Sequence, residues 1–258
     1  MSGHFRRIAL TSLGACLAAL PALRAEGQQG TRAAASMSIG SPTDGTLVGG
    51  VMLRERAELR LRWPDGPRWA LPGLVSIQER AARRVDHRYP GSVLLVGDLS
   101  RRDGGALSGH VSHTSGRDAD VAFYYADGAG KVVRTERLLP VAPTGSVAAA
   151  KLRFDEARNW ALVEALLTDA DVVVQKIFIA EVLKQRLLDY ARKHGARSDV
   201  VERAAMALRQ PGQGAPHDDH FHVRIACPRG TAPRCISDPE PAARTRPERT
   251  AALERYSR

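Results

Sequence analysis

Five of the chain's eight histidines fall in two short polar clusters, GHVSHTSGRDAD at residues 109–120 and HDDHFH at residues 217–222. Neutral imidazole nitrogen and carboxylate oxygen are the donors that a borderline-soft divalent cation, zinc above all, prefers. The second cluster runs on through His220, Phe221, His222, Val223, Arg224 and Ile225, alternating polar and apolar with the period of a strand. His220 and His222 then share one face. Residues 118–124 also read as a strand, with Asp120 on one face and Val121 and Phe123 on the other, and His113 lies in the Gly-containing turn before it. Two neighbouring antiparallel strands would bring His113, Asp120 and His222 onto one Zn²⁺ and leave a fourth tetrahedral position to water. That open position separates a catalytic zinc site from a structural one. A closed structural zinc with His220 as fourth ligand is the competing arrangement.

Hydrolysis at such a zinc also needs a group that takes a proton from water and returns it to the leaving group. A histidine, with a pKa near 6.5, suits both tasks. His220, beside His222 on the strand face, is the candidate general base. The helical His-Glu-x-x-His pattern of glutamate-based zinc peptidases is missing. His110 is a candidate for orienting the substrate or for supporting a ligand from outside. Asp218 and Asp219 are candidates for fixing histidine tautomers, with solvated loop acids as the alternative. His87 and His194 fall on helical surfaces and need no role.

The setting of these residues resembles the penicillin-insensitive murein endopeptidases. The likeness is carried by Ser-His-x-x-Gly-Arg-Asp-x-Asp at residues 112–120 and His-Asp-Asp-His-Phe-His-Val-Arg at residues 217–224, and extends over about residues 38–228. That family belongs to a wider zinc group with lysostaphin-type peptidases, D-alanyl-D-alanine peptidases and the hedgehog signalling domain. The resemblance implies Asp120 rather than Asp118 as the carboxylate ligand, which leaves Asp118 as a hydrogen-bonding structural group. It also implies a place near the site for His217, in transition-state stabilisation or second proton shuttling. It supplies the substrate as well: peptide cross-links of peptidoglycan, at D-alanyl bonds to a diamino acid. The alternatives are a wall-binding or signalling module that keeps the metal without turnover, and a carboxypeptidase that releases D-alanine.

The rest of the chain must position these clusters. Leu59, Leu61 and Trp63 lie on one side of a candidate strand; Pro72 opens a helix with Leu74, Ile77, Ala81 and Val85 on one stripe to about Arg88. Residues 92–99 read as a buried strand that feeds the glycine-containing loop 101–112. Asp155 is an N-cap for a helix carrying Trp160, Val163, Leu166 and Leu167. A β-branched strand at 172–179 and amphipathic helices at 181–193 and 198–209 follow. Strands and helices mix without regular alternation, which predicts an α+β fold with a mainly antiparallel central sheet flanked by helices. The resemblance implies a hedgehog or D-Ala-D-Ala-peptidase type.

Residues 1–25 have the form of a secretory leader: Arg6 and Arg7, an apolar run from Ile8 to Leu23, then Ala-Leu-Arg-Ala. Export to the periplasm is therefore expected, with no stable membrane span. Lipidation at Cys16 is a less favoured alternative. A flexible lead-in at 26–37, one zinc peptidase domain at 38–236 and a disordered tail at 237–258 complete the expected organisation. Losing the leader takes the formal charge from +10 to +7, mostly scattered arginine, which suits a solvated surface or an anionic cell wall. Few aromatics and no recognised motif argue against nucleic acid. Cys227 and Cys235 remain as an isolated pair, and in an exported protein a disulfide closing their Pro/Gly loop is expected.

Overall fold

The computed structural model describes Met1 and residues 35–212 and 216–237. The expected leader beyond Met1, most of the lead-in and the tail from residue 238 lie outside the described residues. From the N-terminal side, β1 (Met37–Gly40) and β2 (Gly45–Val48) form a hairpin; β3 (Val51–Met52), β4 (Leu59–Leu61) and β5 (Trp69–Ala70) follow, with β3 and β5 paired. Then come α1 (Pro72–Arg88), β6 (Leu94–Val96), β7 (Asp118–Ala122), β8 (Tyr125–Ala126), β9 (Val132–Val133), β10 (Ser146–Val147) and β11 (Leu152–Phe154). The remaining elements are α2 (Glu156–Leu167), β12 (Val174–Phe178), α3 (Glu181–Lys193), α4 (Ser198–Ala207), β13 (Leu208–Arg209) and β14 (His220–Ile225).

Six strands make the central sheet in the order β13-β12-β14-β7-β6-β4, and a smaller sheet runs β10-β11-β8-β9. The three inner pairings of the large sheet are antiparallel, and only its outermost pairs, β12 with β13 and β4 with β6, are parallel. The α+β, mostly antiparallel expectation holds. Two local expectations do not. The helix at 198–209 stops at Ala207, because Leu208 and Arg209 extend and pair beside Ile177 and Phe178. Trp63 does not share the buried side of Leu59 and Leu61: β4 ends at Leu61, and Trp63 stands 53% exposed.

Strand alternation divides the large sheet into two unlike faces. Leu94, Val96, Ala119, Val121, Ile177, Phe221, Val223 and Ile225 join the apolar core with the helices' buried stripes. The intervening residues of β7 and β14 are Asp118, Asp120, Ala122, His220, His222 and Arg224, so the opposite face of the same two strands is mostly charged or polar. Helix α1 starts on Pro72 and buries Leu74, Ile77, Ala81 and Val85. Helix α2 is capped as expected, Asp155 accepting from the Arg158 amide. Its buried Asn159 donates to the Tyr124 carbonyl at 2.8 Å and accepts from the Tyr124 amide at 2.9 Å, so the helix grips the chain as it leaves β7. Cys227 and Cys235 form a disulfide. The loop it closes returns to β1, where the Gly40 amide donates to the Arg234 carbonyl and the Ile236 amide to the Gly40 carbonyl.

Candidate metal and catalytic site

The register of β7 and β14 sets the site. His222 pairs with Asp120, His220 with Ala122 and Arg224 with Asp118, so two polar residues of each strand face one another on the charged side of the sheet. The result around one oxygen is compact. Asp120 Oδ1 lies 3.2 Å from His222 Nδ1, 3.3 Å from His113 Nε2 and 3.3 Å from His220 Nε2. His110 approaches from the glycine loop, its Nδ1 3.6 Å from Asp120 Oδ2. His110, His113 and Asp120 present donor atoms all within 4.8 Å of one another, a spacing that could hold a metal ion.

His113 reaches this point through an uncommon backbone. Its φ is +71°, the left-handed region that ordinary side chains rarely occupy, and the surrounding hydrogen bonds hold it there. Ser100 donates to the His113 carbonyl at 2.6 Å, and the Thr114 hydroxyl donates to the Pro42 carbonyl at 3.0 Å. On the other side the Gly105 amide donates to the Thr114 carbonyl. A Cβ at Gly104 would stand 2.2 Å from that carbonyl, so the loop lies against the turn only because residue 104 has no side chain. Arg117 is fully buried and ties the turn to the disulfide loop, donating to the Ile236 carbonyl at 2.7 Å.

Tautomers follow from the partners. His113 Nδ1 lies 2.7 Å from the Leu99 carbonyl, which can only accept, so Nδ1 carries the proton and neutral His113 turns the lone pair of Nε2 toward Asp120. His222 Nε2 meets Asp118 Oδ1 at 2.8 Å, which leaves Nδ1 for the cluster. His110 Nε2 meets Asp98 Oδ2 at 3.0 Å, and His220 Nδ1 meets Asp219 Oδ1 at 2.5 Å. Three of the four imidazoles thus have a carboxylate behind them and the fourth a carbonyl, the usual outer support of metal-binding or proton-transferring histidines. Of the two loop acids, Asp219 is thus the one whose carboxylate contacts a histidine ring. Asp218 acts through its carbonyl, which accepts from Val141.

The charges show what the cluster wants. Burial alone would raise the pKa of Asp120, yet His113, His220 and His222 hold it well below the usual carboxylate range. Asp118, against the same burial penalty, is held low by His222 and Arg224, and Asp219 by His220. Burial works to lower His220, but Asp120 and Asp219 push it up to about 9; Asp118 and Asp120 likewise raise His222. Carboxylates and imidazoles thus hold one another charged, and a bound cation would serve the same carboxylates in place of an imidazolium. His113 Nε2 and Asp120 Oδ1, both buried, have no hydrogen-bond partner despite their 3.3 Å separation. Two lone pairs facing each other in a buried space fit a cation, and the nitrogen and carboxylate donors suit a transition metal.

His217 sits at the rim with φ +54°, its ring centroid 4.9 Å from that of His220 and 6.0 Å from that of Phe178. His110, His113, Asp120, His217, His220 and His222 are thus brought to one place. Sequence reasoning left unassigned the support given by Asp98 and by Phe178, whose ring lies 5.3 Å from that of His222. Asp98 ends the buried β6 run, and an acid two residues after such a strand was the one available signal.

Residues 38–252 match the sequence pattern that describes the penicillin-insensitive murein endopeptidases. The chain belongs to that family. Among proteins of that name, the one from Yersinia enterocolitica is 30% identical over 202 residues, spanning 76% of this chain and 68% of its own. The Haemophilus influenzae protein is 28% identical over 197 residues, 74% of this chain and 63% of that one. An Escherichia coli O1:K1 relative is 29% identical over 212 residues, 80% and 72% respectively. The family match takes in β2 through β14 and all of β1 but Met37, so it covers every strand and loop that builds the charged face.

Proposed function

We propose that the protein is a zinc-dependent endopeptidase that hydrolyses the peptide cross-links of peptidoglycan. The observation that carries this reading is the convergence of three imidazole nitrogens on one buried carboxylate oxygen, two of the facing atoms being unpartnered acceptors. His113 through Nε2, Asp120, and His222 through Nδ1 are the metal ligands. Their nitrogen and oxygen donors favour zinc. When bound, zinc supplies Lewis acidity, making a water more acidic and polarising the scissile carbonyl.

His220 is the general base. Its side chain keeps 15% exposure where His113 has none, so of these two imidazoles it is the one a substrate can approach. Asp219 fixes Nδ1 and so keeps Nε2 turned to the reacting centre; a cation held by Asp120 would offset the carboxylate that raises this histidine, leaving a neutral Nε2 to take the proton from water and deliver it to the leaving amine. His217 lies beside it for the second proton or the developing charge. His110, held by Asp98, borders the other side and orients the substrate or supports the metal.

The fold is read as the hedgehog and D-Ala-D-Ala-peptidase type, as one catalytic domain at 38–236 behind a cleaved leader, with the periplasm as its place of work. No helix of the described residues is long and apolar enough to cross a membrane. The test is product analysis: metal-loaded protein is incubated with cross-linked sacculi and the soluble fragments are identified. Conversion of cross-linked dimers into monomers is expected. Release of terminal D-alanine alone would make the protein a carboxypeptidase, and metal binding without any cleavage would make it a wall-binding module.

A further inference from the structure

A second groove lies on the same face of the central sheet as the histidines, and its volume is about 660 Å³. Its floor is Val93 and Leu95, and Leu95 is a buried residue that points away from the helical core joined by its neighbours Leu94 and Val96. Arg60 and Arg62 enter from β4 and the residue after it, alternating with core residues Leu59 and Leu61, and Arg134 and Arg137 enter from the segment after β9. Trp63 forms a wall, more than half exposed, with the Arg62 guanidinium 4.9 Å from its ring centroid. Of the two acids in the lining, Glu55 is already engaged by the Leu61 amide, and Arg62 Nε is buried without a hydrogen-bond partner. Cationic side chains therefore outnumber acids four to two over an apolar floor.

Register fixes where this groove stands. His220 pairs with Ala122; one step from the Val96–Val121 pair, Ala122 lies beside Leu95; and Leu95 pairs with Arg60. The row His220, Ala122, Leu95, Arg60 crosses the sheet in line. At a strand spacing of about 4.8 Å, Arg60 starts roughly 14 Å from His220. A small hollow lined by Ala122 shares Val93, Leu95, Arg134 and Thr135 with the groove and extends it one strand along this row. About four residues of extended peptide cover such a span.

We infer that this groove is an accessory subsite that grips the carboxylate-bearing far end of the stem peptide whose near end is being cut at His220. The arginines pair with the peptide's free carboxylates, and the apolar floor and Trp63 take its alanyl methyl groups. The inference rests on the peptidase reading for its substrate.

The test uses the metal-free full chain and a soluble stem tetrapeptide with free carboxylates, titrated by calorimetry, with a carboxyl-amidated peptide as comparison. Arg60→Ala with Arg134→Ala, and separately Trp63→Ala, are expected to weaken binding about tenfold, as is amidation for the unaltered chain. All three side chains are exposed, and circular dichroism checks that the variants keep their fold. In the zinc-loaded enzyme the same variants should raise KM for cross-linked fragments and leave kcat unchanged. Equal affinity for acid and amidated peptides, variants that bind like the parent, or no binding by the metal-free parent would each overturn the subsite. Groove-dependent binding with no cleavage of sacculi would overturn the peptidase reading and leave the subsite standing. Cleavage indifferent to the groove variants would do the reverse.

Discussion

Asp118 Oδ1 stands 2.8 Å from His222 Nε2 and 2.6 Å from Arg224 Nε, so one buried carboxylate aims the imidazole opposite Asp120 and neutralises the arginine beside it. Asp118→Asn should keep the fold and lower zinc affinity about 10- to 100-fold, because the amide supports the His222 tautomer more weakly. Competition against a chromogenic chelator measures this. Asp118→Ala removes the carboxylate facing a buried guanidinium and should also cost about 3–5 kcal/mol of stability, read by denaturant titration. Unaltered zinc affinity in both variants would remove Asp118 from this role.

His220→Ala should retain one equivalent of zinc and lose hydrolysis by about 10²- to 10⁴-fold in kcat. Metal analysis alongside turnover separates the two effects. A variant that loses its zinc would make His220 a ligand; one that digests at the parental rate would leave it no role.

The Arg80–Asp169 pair joins α1 to the chain just past α2 through two 2.7 Å hydrogen bonds. Burial opposes ionisation of Asp169, but Arg80 and the amides of Asp171 and Val172 hold its pKa below the ordinary value. A depressed carboxylate stabilises the fold above the unfolded pKa of about 3.9. That contribution disappears as pH falls through the lower folded-state value. Asp169→Asn should therefore lower Tm near neutrality, by the equivalent of about 1 kcal/mol for a partly screened pair. The gap to the parent should close on acidification below about pH 3. A constant gap across that range would rule out the ion pair as its source.

The disulfide holds the segment that pairs with β1, and β1 leads into Ser41 and Pro42, whose carbonyls receive the Thr114 hydroxyl beside His113. Replacing Cys227 and Cys235 by serine, or reducing the parent, should lower stability by about 2–3 kcal/mol, the loop being short. Thermal melts with and without reductant should shift the parent alone.

Much of the site was legible in the chain. Alternation in residues 118–122 and 220–225 put each acid and imidazole on a face, since a strand's side chains reverse at every residue whatever lies beside it. The stripe behind Pro72, the Asp155 cap and the Cys227–Cys235 pair are equally local, and each appears where its residues predicted. Other features were not written locally. The stop of α4 at Ala207 depends on a vacant edge beside Ile177 and Phe178, and Trp63 turns outward because β4 ends two residues before it.

The sequence by itself determined the donor types, their faces and the family. Only the tertiary structure decided that Asp120 meets His222 while Asp118 stands behind it, that His110 closes in from a glycine loop onto Asp98 at the end of β6, and that Arg60 lines up with His220 across four strands. The reason is physical: a strand's own pattern fixes which way a side chain points, whereas its partner and register come from packing against residues about a hundred positions away.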